Sequence, residues 1–155
     1  MTSEVIALVA EQSHAGCMNT ITSTPHPTIP EKVTLLRTTL LLDAAITGVN
    51  GLAYLILPAQ LATVFGTPAL FLMAAGGFLF CCAIVFLLIG RASRIPSWGV
   101  WFAILVNTAW AVASIVFVLT SDWLTQIGQL WGVLQALVVF GFGIAQLLGW
   151  RRSQS

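Results

Sequence analysis

The sequence predicts an all-α membrane protein in which four transmembrane helices form an antiparallel bundle with both termini in the cytoplasm. Of its 155 residues, 58% are hydrophobic and only 7% are charged, a balance that excludes a soluble globular domain. Four apolar runs are each long enough to cross a bilayer, which takes about 20 residues. The runs lack the polar alternation of a membrane strand, so helices are favoured. A net charge of +1 offers phosphate no basic field, which excludes nucleic acid as a partner.

The four runs lie at about residues 35–57, 69–90, 98–119 and 124–149, and together they define a membrane domain at 34–152. The first run is the least apolar because it contains Asp43 and Asn50, and Pro58 closes it. A short turn joins the second run to the third, which predicts a helical hairpin. Ser121 or Asp122 is expected to cap the fourth helix, since both residue types are good N-caps.

Every basic residue lies beside the same ends of the predicted helices: Lys32, Arg37, Arg91, Arg94, Arg151 and Arg152. The positive-inside rule therefore places this side, and with it both termini, in the cytoplasm. Tyr54 and Trp123 are expected at the opposite membrane interface, where their amphipathic rings are favoured. Trp110 and Trp131 lie within spans and are expected to pack in the core.

Residues 1–33 differ from the rest and are predicted to form a polar, disordered cytoplasmic tail. Thr, Ser, Pro and His dominate this segment, and it has no hydrophobic periodicity. Its apolar stretch Val5–Ala10 is shorter than the hydrophobic region of a signal peptide. Met18 offers an alternative start.

The cysteines and histidines give no pattern typical of a metal, haem or redox site. Cys81 and Cys82 are adjacent in a span and point to different helix faces, Cys17 lies in the tail, and no CxxC pair exists. His14 and His26 both lie in the tail, so no span offers a haem ligand. We therefore expect no cofactor, no metal and no catalytic residue.

Polar side chains inside the spans are the candidate sites, because a polar group in hydrocarbon is costly unless it is paired. Those predicted to face the interior are Thr47, Asn50, Ser114, Gln135 and Gln146. With a rise of 1.5 Å per residue, Asp43 and Asn107 both lie about 12–14 Å from the cytoplasmic side. Asn50, Ser114 and Gln135 lie about 21–24 Å from it. The spacing thus predicts two polar layers.

Asp43, with Asn107 beside it, is the candidate ligand-binding or proton-coupling site. No basic residue shares its depth, so desolvation favours the neutral form of its carboxyl group. Two interpretations remain open. Asp43 either binds a solute or couples to a proton, or it hydrogen-bonds Asn107 and holds two helices in register.

Small residues recur at four-residue intervals along several helices, a pattern that lets helices approach closely. Those predicted to support helix packing are Gly48, Gly77, Gly128, Gly132 and Ala136. A spare face of this kind could serve a homodimer or another membrane protein partner, in addition to the lipid bilayer.

Residues scattered over about 35–152 carry a resemblance to a known group: Arg37, Asp43-Ala44, Thr47-Gly48, Gly51-Leu52, Phe65-Gly66, Pro68, Asn107, Trp110, Ser114, Gln135-Ala136, Gln146 and Gly149. In these the chain resembles the small four-span integral membrane proteins of bacteria that are frequent in actinobacteria. The group has no established activity. The resemblance implies four spans and a bacterial plasma (inner) membrane, and it supplies no catalytic residue.

Three functions follow as hypotheses. The first is a non-enzymatic membrane protein, an accessory or self-associating subunit. The alternative is a small carrier or binder of an apolar or cationic solute that uses Asp43. A membrane enzyme is the remote alternative, because Asp43 has no partner acid, base, metal or nucleophile for acid–base chemistry.

Overall fold

The computed structural model describes residues 31–154, and in that part of the chain all regular structure is helical. Five helices follow one another: α1 (Glu31–Ile56), α2 (Pro58–Phe65), α3 (Ala69–Arg91), α4 (Ser97–Thr120) and α5 (Gln126–Gln154). All except α2 are long and apolar enough to cross a membrane, which indicates a multi-pass membrane protein. The predictions for residues 1–30, including Cys17 and both histidines, lie outside the described residues.

The long helices lie close to the predicted spans, but three of their ends differ by two residues or more. α1 begins at Glu31, within the last residues of the predicted tail, and α5 continues to Gln154, five residues beyond the predicted end. Charged and polar residues at these ends lower the hydropathy that defines a span, yet they do not stop a helix.

The short helix α2 was not predicted, since the connector shows only a lack of charge in sequence. It begins with Pro58, whose fixed φ suits a first helical position. It ends at Gly66, which has φ 72°, and the Gly66 N–H donates to the Ala62 carbonyl at 2.9 Å. A left-handed residue of this kind is the usual helix terminator.

Thr125 caps α5 and joins it to α2. Its Oγ1 accepts from the Gly128 N–H at 3.0 Å, and it donates to the Val64 carbonyl at 2.6 Å. The predicted cap at Ser121 or Asp122 is wrong, because residues 122 and 123 form a turn and the helix begins only at Gln126. α2 is therefore fixed against the start of α5.

The long helices pack most extensively as two pairs, α1 with α3 and α4 with α5, and α1 also contacts α5. α3 and α4 approach each other little, although a short loop joins them. Glycines permit the closest approach: a Cβ added at Gly51 would lie 2.9 Å from the Gly76 carbonyl oxygen on α3.

The small residues singled out in the sequence have different surroundings. A Cβ at Gly48 would lie 3.3 Å from Ala83, and Cβ atoms at Gly128 and Gly132 would meet Phe65 and Val118. Ala136 is buried against Ala111 and Val139. Gly77, by contrast, has no described atom within 4 Å of an added Cβ.

Many large apolar side chains point outward, as expected of helices that contact lipid. Val49, Leu70 and Leu119 are each more than 70% exposed. A soluble protein does not present apolar surface on this scale. Fewer apolar side chains are buried. They form one core that contains Leu40 and Phe86 and another that contains Tyr54 and Leu72.

Candidate functional site

Asp43 lies at the centre of a buried polar group that joins three helices, which we call the Asp43 cluster (Asp43, Thr47, Asn107 and Gln146). Asn107 Nδ2 on α4 donates to Asp43 Oδ2 at 2.6 Å, and Gln146 Nε2 on α5 donates to the same oxygen at 2.7 Å. Thr47, one turn along α1, donates to Asp43 Oδ1 at 3.0 Å. Asp43 and Gln146 are 0% exposed.

The spacing of Asp43 and Asn107 predicted this contact, and the structure brings the two together. Gln146 was predicted to face the interior but was not assigned to this layer. It shares the depth of Asp43 because α5 continues to Gln154, about 12 Å beyond it at 1.5 Å per residue. The signal was present in the sequence, but the predicted end of the fourth span hid it.

The Asp43 cluster is a network of hydrogen bonds without a nucleophile, a metal-ligand set or a second carboxyl. All three partners donate to the carboxyl, and Asn107 also donates to Gln146 Oε1 at 3.4 Å. The residues of the cluster include no Lys, Arg or His. Such an arrangement holds helices at a fixed register.

A second polar group lies between α1 and α5, about two to three turns along each helix from the Asp43 cluster. We call it the Gln135 cluster (Asn50, Tyr54, Trp131 and Gln135). Asn50 Nδ2 and the Tyr54 hydroxyl both donate to Gln135 Oε1, at 3.0 and 2.8 Å. Trp131 Nε1 donates to the Tyr54 oxygen at 2.6 Å. The cluster connects α1 with α5.

The predicted second layer contains Asn50 and Gln135, which do meet, and Ser114, which makes no hydrogen bond to them among the described residues. Tyr54 was expected at the membrane interface, but it is 5% exposed and belongs to the cluster. The signal for Tyr54 was its position four residues after Asn50, which puts both on one helix face.

Two cavities flank the Gln135 cluster. The first, of about 360 Å³, lies among α1, α3, α4 and α5, and Ser114 lines it. The second, of about 710 Å³, lies between α1 and α5, and Thr47 lines it. Both are lined by Tyr54, Phe65, Trp110, Trp131 and Gln135. No residue that lines either cavity is charged, and Asp43 lines neither.

Aromatic rings form much of the wall between α3 and α4. Phe71 stacks on Phe117 with ring centroids 4.7 Å apart, and Phe78 stacks on Trp110 at 5.4 Å. On the other side, Phe65 stacks on Trp131 at 5.9 Å. Since the two helices approach each other little elsewhere, these rings bridge a gap in the side of the molecule.

Trp110 carries a buried polar atom without a partner. Its indole Nε1 is enclosed, yet it makes no hydrogen bond to any part of the chain that the structure describes. The sequence predicted only core packing for this residue. Whether the Trp110 N–H finds a hydrogen-bond partner depends on how the helices pack, so no local sequence pattern predicts it.

Within residues 31–154, no group of three His, Cys, Asp or Glu side chains could hold a metal ion. Cys81 is exposed and Cys82 is buried, in agreement with their prediction on different helix faces. In the comparisons with known proteins, no protein-family model, no curated protein and no solved structure matches this chain.

Proposed function

We propose that this protein is a non-enzymatic integral membrane protein of the bacterial plasma membrane, an accessory or self-associating subunit in which the Asp43 cluster holds the helices together. Four long apolar helices support the membrane location. The basic residues beside one set of helix ends favour an antiparallel bundle with both termini in the cytoplasm.

One observation carries this proposal: the Asp43 carboxyl is fully buried and already accepts hydrogen bonds from three side chains. Buried polar groups in a membrane are satisfied by their neighbours, and interhelical hydrogen bonds fix register. A carboxyl whose two oxygens already accept hydrogen bonds from neighbouring side chains suits a structural role better than acid–base chemistry.

The test is a native mass spectrum of the full chain, purified gently from its own membrane, beside that of Asp43→Asn. The proposal expects a homo-oligomer or a complex with another protein and the same assembly in the variant, whereas a bare monomer would contradict a subunit role. A bound small-molecule mass that Asp43→Asn removes would contradict the structural role. Loss of the assembly in that variant would contradict the expectation that an Asn side chain can replace the carboxyl in the cluster.

A second candidate, a carrier or binder of an apolar or cationic solute at Asp43, is favoured by the position of Thr47. This residue donates to Asp43 and also lines the larger of the two cavities, so it connects the carboxyl with the cavity wall. A solute cation would have to replace the donors of the cluster.

Tetraphenylphosphonium is the probe that separates the two candidates. The carrier hypothesis expects this cation to bind the purified protein in a pH-dependent manner and to lose binding in Asp43→Asn. Absence of binding over the accessible pH range, or equal binding to the variant, would exclude a cation site at Asp43.

A further inference from the structure

Beyond a structural role for Asp43, we propose that the two cavities beside the Gln135 cluster form one binding site for a neutral, ring-bearing carbonyl compound dissolved in the membrane. In this site the Trp110 indole N–H donates a hydrogen bond to the carbonyl oxygen of the ligand. The cavities share five lining residues, Trp110 and Gln135 among them. Their volumes, about 360 and 710 Å³, lie within the range typical of small-molecule sites.

The ligand is neutral because the site has no charge to offer it. The lining contains apolar and aromatic side chains with a few hydroxyl and amide groups. Neither cavity is lined by an Asp, Glu, Lys, Arg or His residue. Bringing an ion into such a place without a counter-charge carries a large desolvation penalty. The site therefore disfavours anionic lipids and small hydrated ions, and it offers an organic cation ring faces but no carboxylate.

The ligand carries an acceptor because the site lacks one for its spare donor. Gln135 Oε1 already accepts two hydrogen bonds, and Trp131 Nε1 already donates to Tyr54. Trp110 Nε1 remains enclosed without a partner, although Trp110 lines both cavities. An indole nitrogen can only donate. Because Nε1 itself has almost no accessible surface, the Trp110 ring must turn toward the cavity before a carbonyl oxygen there can become the partner that this donor lacks.

The depth of the donor favours a freely dissolved molecule over a phospholipid. Trp110 lies ten residues before the end of α4 at Thr120, which is about 15 Å along the helix axis. The hydrocarbon core of a bilayer is about 30 Å thick, so this donor lies near its middle. Phospholipid ester carbonyls stay in the interfacial region, out of reach of Trp110.

The aromatic walls favour a ligand with a ring. Tyr54, Phe65, Phe71, Trp110 and Trp131 line the cavities, and flat rings pack well on such faces. The ring pairs Phe71–Phe117 and Phe78–Trp110 bridge α3 and α4. Rotation of these side chains opens the site sideways to the membrane, where an apolar ligand is concentrated.

The test compares menadione, a neutral quinone, with 2-methylnaphthalene, which has a similar fused-ring skeleton and no carbonyl. The full chain, labelled with ¹⁵N at its six tryptophan indoles, is titrated in detergent micelles, and Trp110→Phe assigns the Trp110 signal. We expect menadione to move the Trp110 indole N–H signal downfield and 2-methylnaphthalene to leave it without that shift. Because one hydrogen bond is lost, Trp110→Phe weakens menadione binding about two- to tenfold.

Binding of 2-methylnaphthalene to Trp110→Phe is the folding control, and we expect it to equal that of the wild type, since Phe retains the ring stack with Phe78. Equal affinity of the wild-type protein for both probes overturns the proposal. Menadione binding that leaves the Trp110 signal in place also overturns it, as does a failure of both probes to bind. A shift of the Trp110 signal on adding phosphatidylcholine overturns it as well. Asp43→Asn binds menadione as the wild type does, which separates this site from the role of Asp43.

Discussion

At Asp43, a single carboxyl is the meeting point of α1, α4 and α5. Its Oδ2 accepts both the Asn107 and the Gln146 amide, and its Oδ1 accepts the Thr47 hydroxyl. One oxygen thus holds two other helices, whereas the second makes a contact only within α1. This asymmetry determines which substitutions the cluster tolerates.

Asp43→Asn is expected to leave stability nearly unchanged. The carbonyl oxygen of Asn can take the place of Oδ2, and its NH₂ can donate to Thr47, whose hydroxyl can turn to accept. Asp43→Leu, by contrast, leaves the Asn107 and Gln146 donors unpaired, at a cost of roughly 1–3 kcal/mol for each. Unfolding of purified protein in mixed SDS micelles measures both effects. If Asp43→Asn lowered the unfolding free energy as much as Asp43→Leu, the cluster would require a carboxyl.

Tyr54→Phe tests the Gln135 cluster. The change removes the hydroxyl that donates to Gln135 and accepts from Trp131, and it keeps the ring that packs edge-on against Phe65. We expect a loss of about 1 kcal/mol in unfolding free energy, since one buried indole donor loses its partner. A double-mutant cycle with Trp131→Phe is the control. Additive losses in the cycle would show that the Tyr54–Trp131 hydrogen bond contributes nothing.

At the scale of the helix, α1 and α3 approach so closely that neighbouring glycines on α3 differ in what they tolerate. A Cβ at Gly76 would lie 2.8 Å from both the Gly51 carbonyl oxygen and the Tyr54 Cβ, whereas a Cβ at Gly77 would meet no described atom within 4 Å. The two positions therefore form a matched pair on one helix.

Gly76→Ala is expected to destabilise the protein by about 1–3 kcal/mol, because the added methyl group meets backbone that must move. Gly77→Ala is expected to stabilise it by up to about 1 kcal/mol, since Ala is the better helix former and open space receives its methyl group. Unfolding in mixed SDS micelles compares the two variants directly. Equal effects at both positions would contradict the packing of α1 against α3.

The helices and their order could be predicted from hydropathy, because the length of a span is fixed by the bilayer. The contact of Asp43 with Asn107 could also be predicted, since a constant rise converts sequence spacing into depth. The place of Gln146 could not, because it depends on how far α5 continues past its apolar run. The isolated Trp110 donor and the cavities depend on the separation of α3 from α4, which no single helix encodes.

For the whole molecule, the distribution of charge predicts how the chain lies in the membrane. After Arg37, the basic residues lie at the end of α3 (Arg91), in the α3–α4 connection (Arg94) and near the end of α5 (Arg151 and Arg152). Alkaline phosphatase fused after Ser155 is expected to be inactive and green fluorescent protein at the same place to fluoresce, since that end is predicted to be cytoplasmic. Alkaline phosphatase fused after Ser121 should be active. The reverse pattern would invert the proposed topology.

The open face of α3 carries the prediction on self-association. A Cβ added at Gly77 would meet no atom of another described helix within 4 Å, and Cys81, one turn later on the same helix face, is exposed. If two copies meet through this face, their Cys81 thiols lie close together. In a variant with Cys17 and Cys82 changed to Ala, mild oxidation in membranes should then give a disulfide-linked dimer.

Gly77→Leu in the same background should remove the dimer, because its side chain fills the space that the second copy would occupy. Gly141→Leu, on α5, is the matched control, since a Cβ added there would also meet no atom of another described helix within 4 Å and Gly141 lies on a different helix. It should leave the dimer intact. A monomer under oxidation before any substitution, or a dimer that survives Gly77→Leu, would exclude this face and favour a partner of another kind.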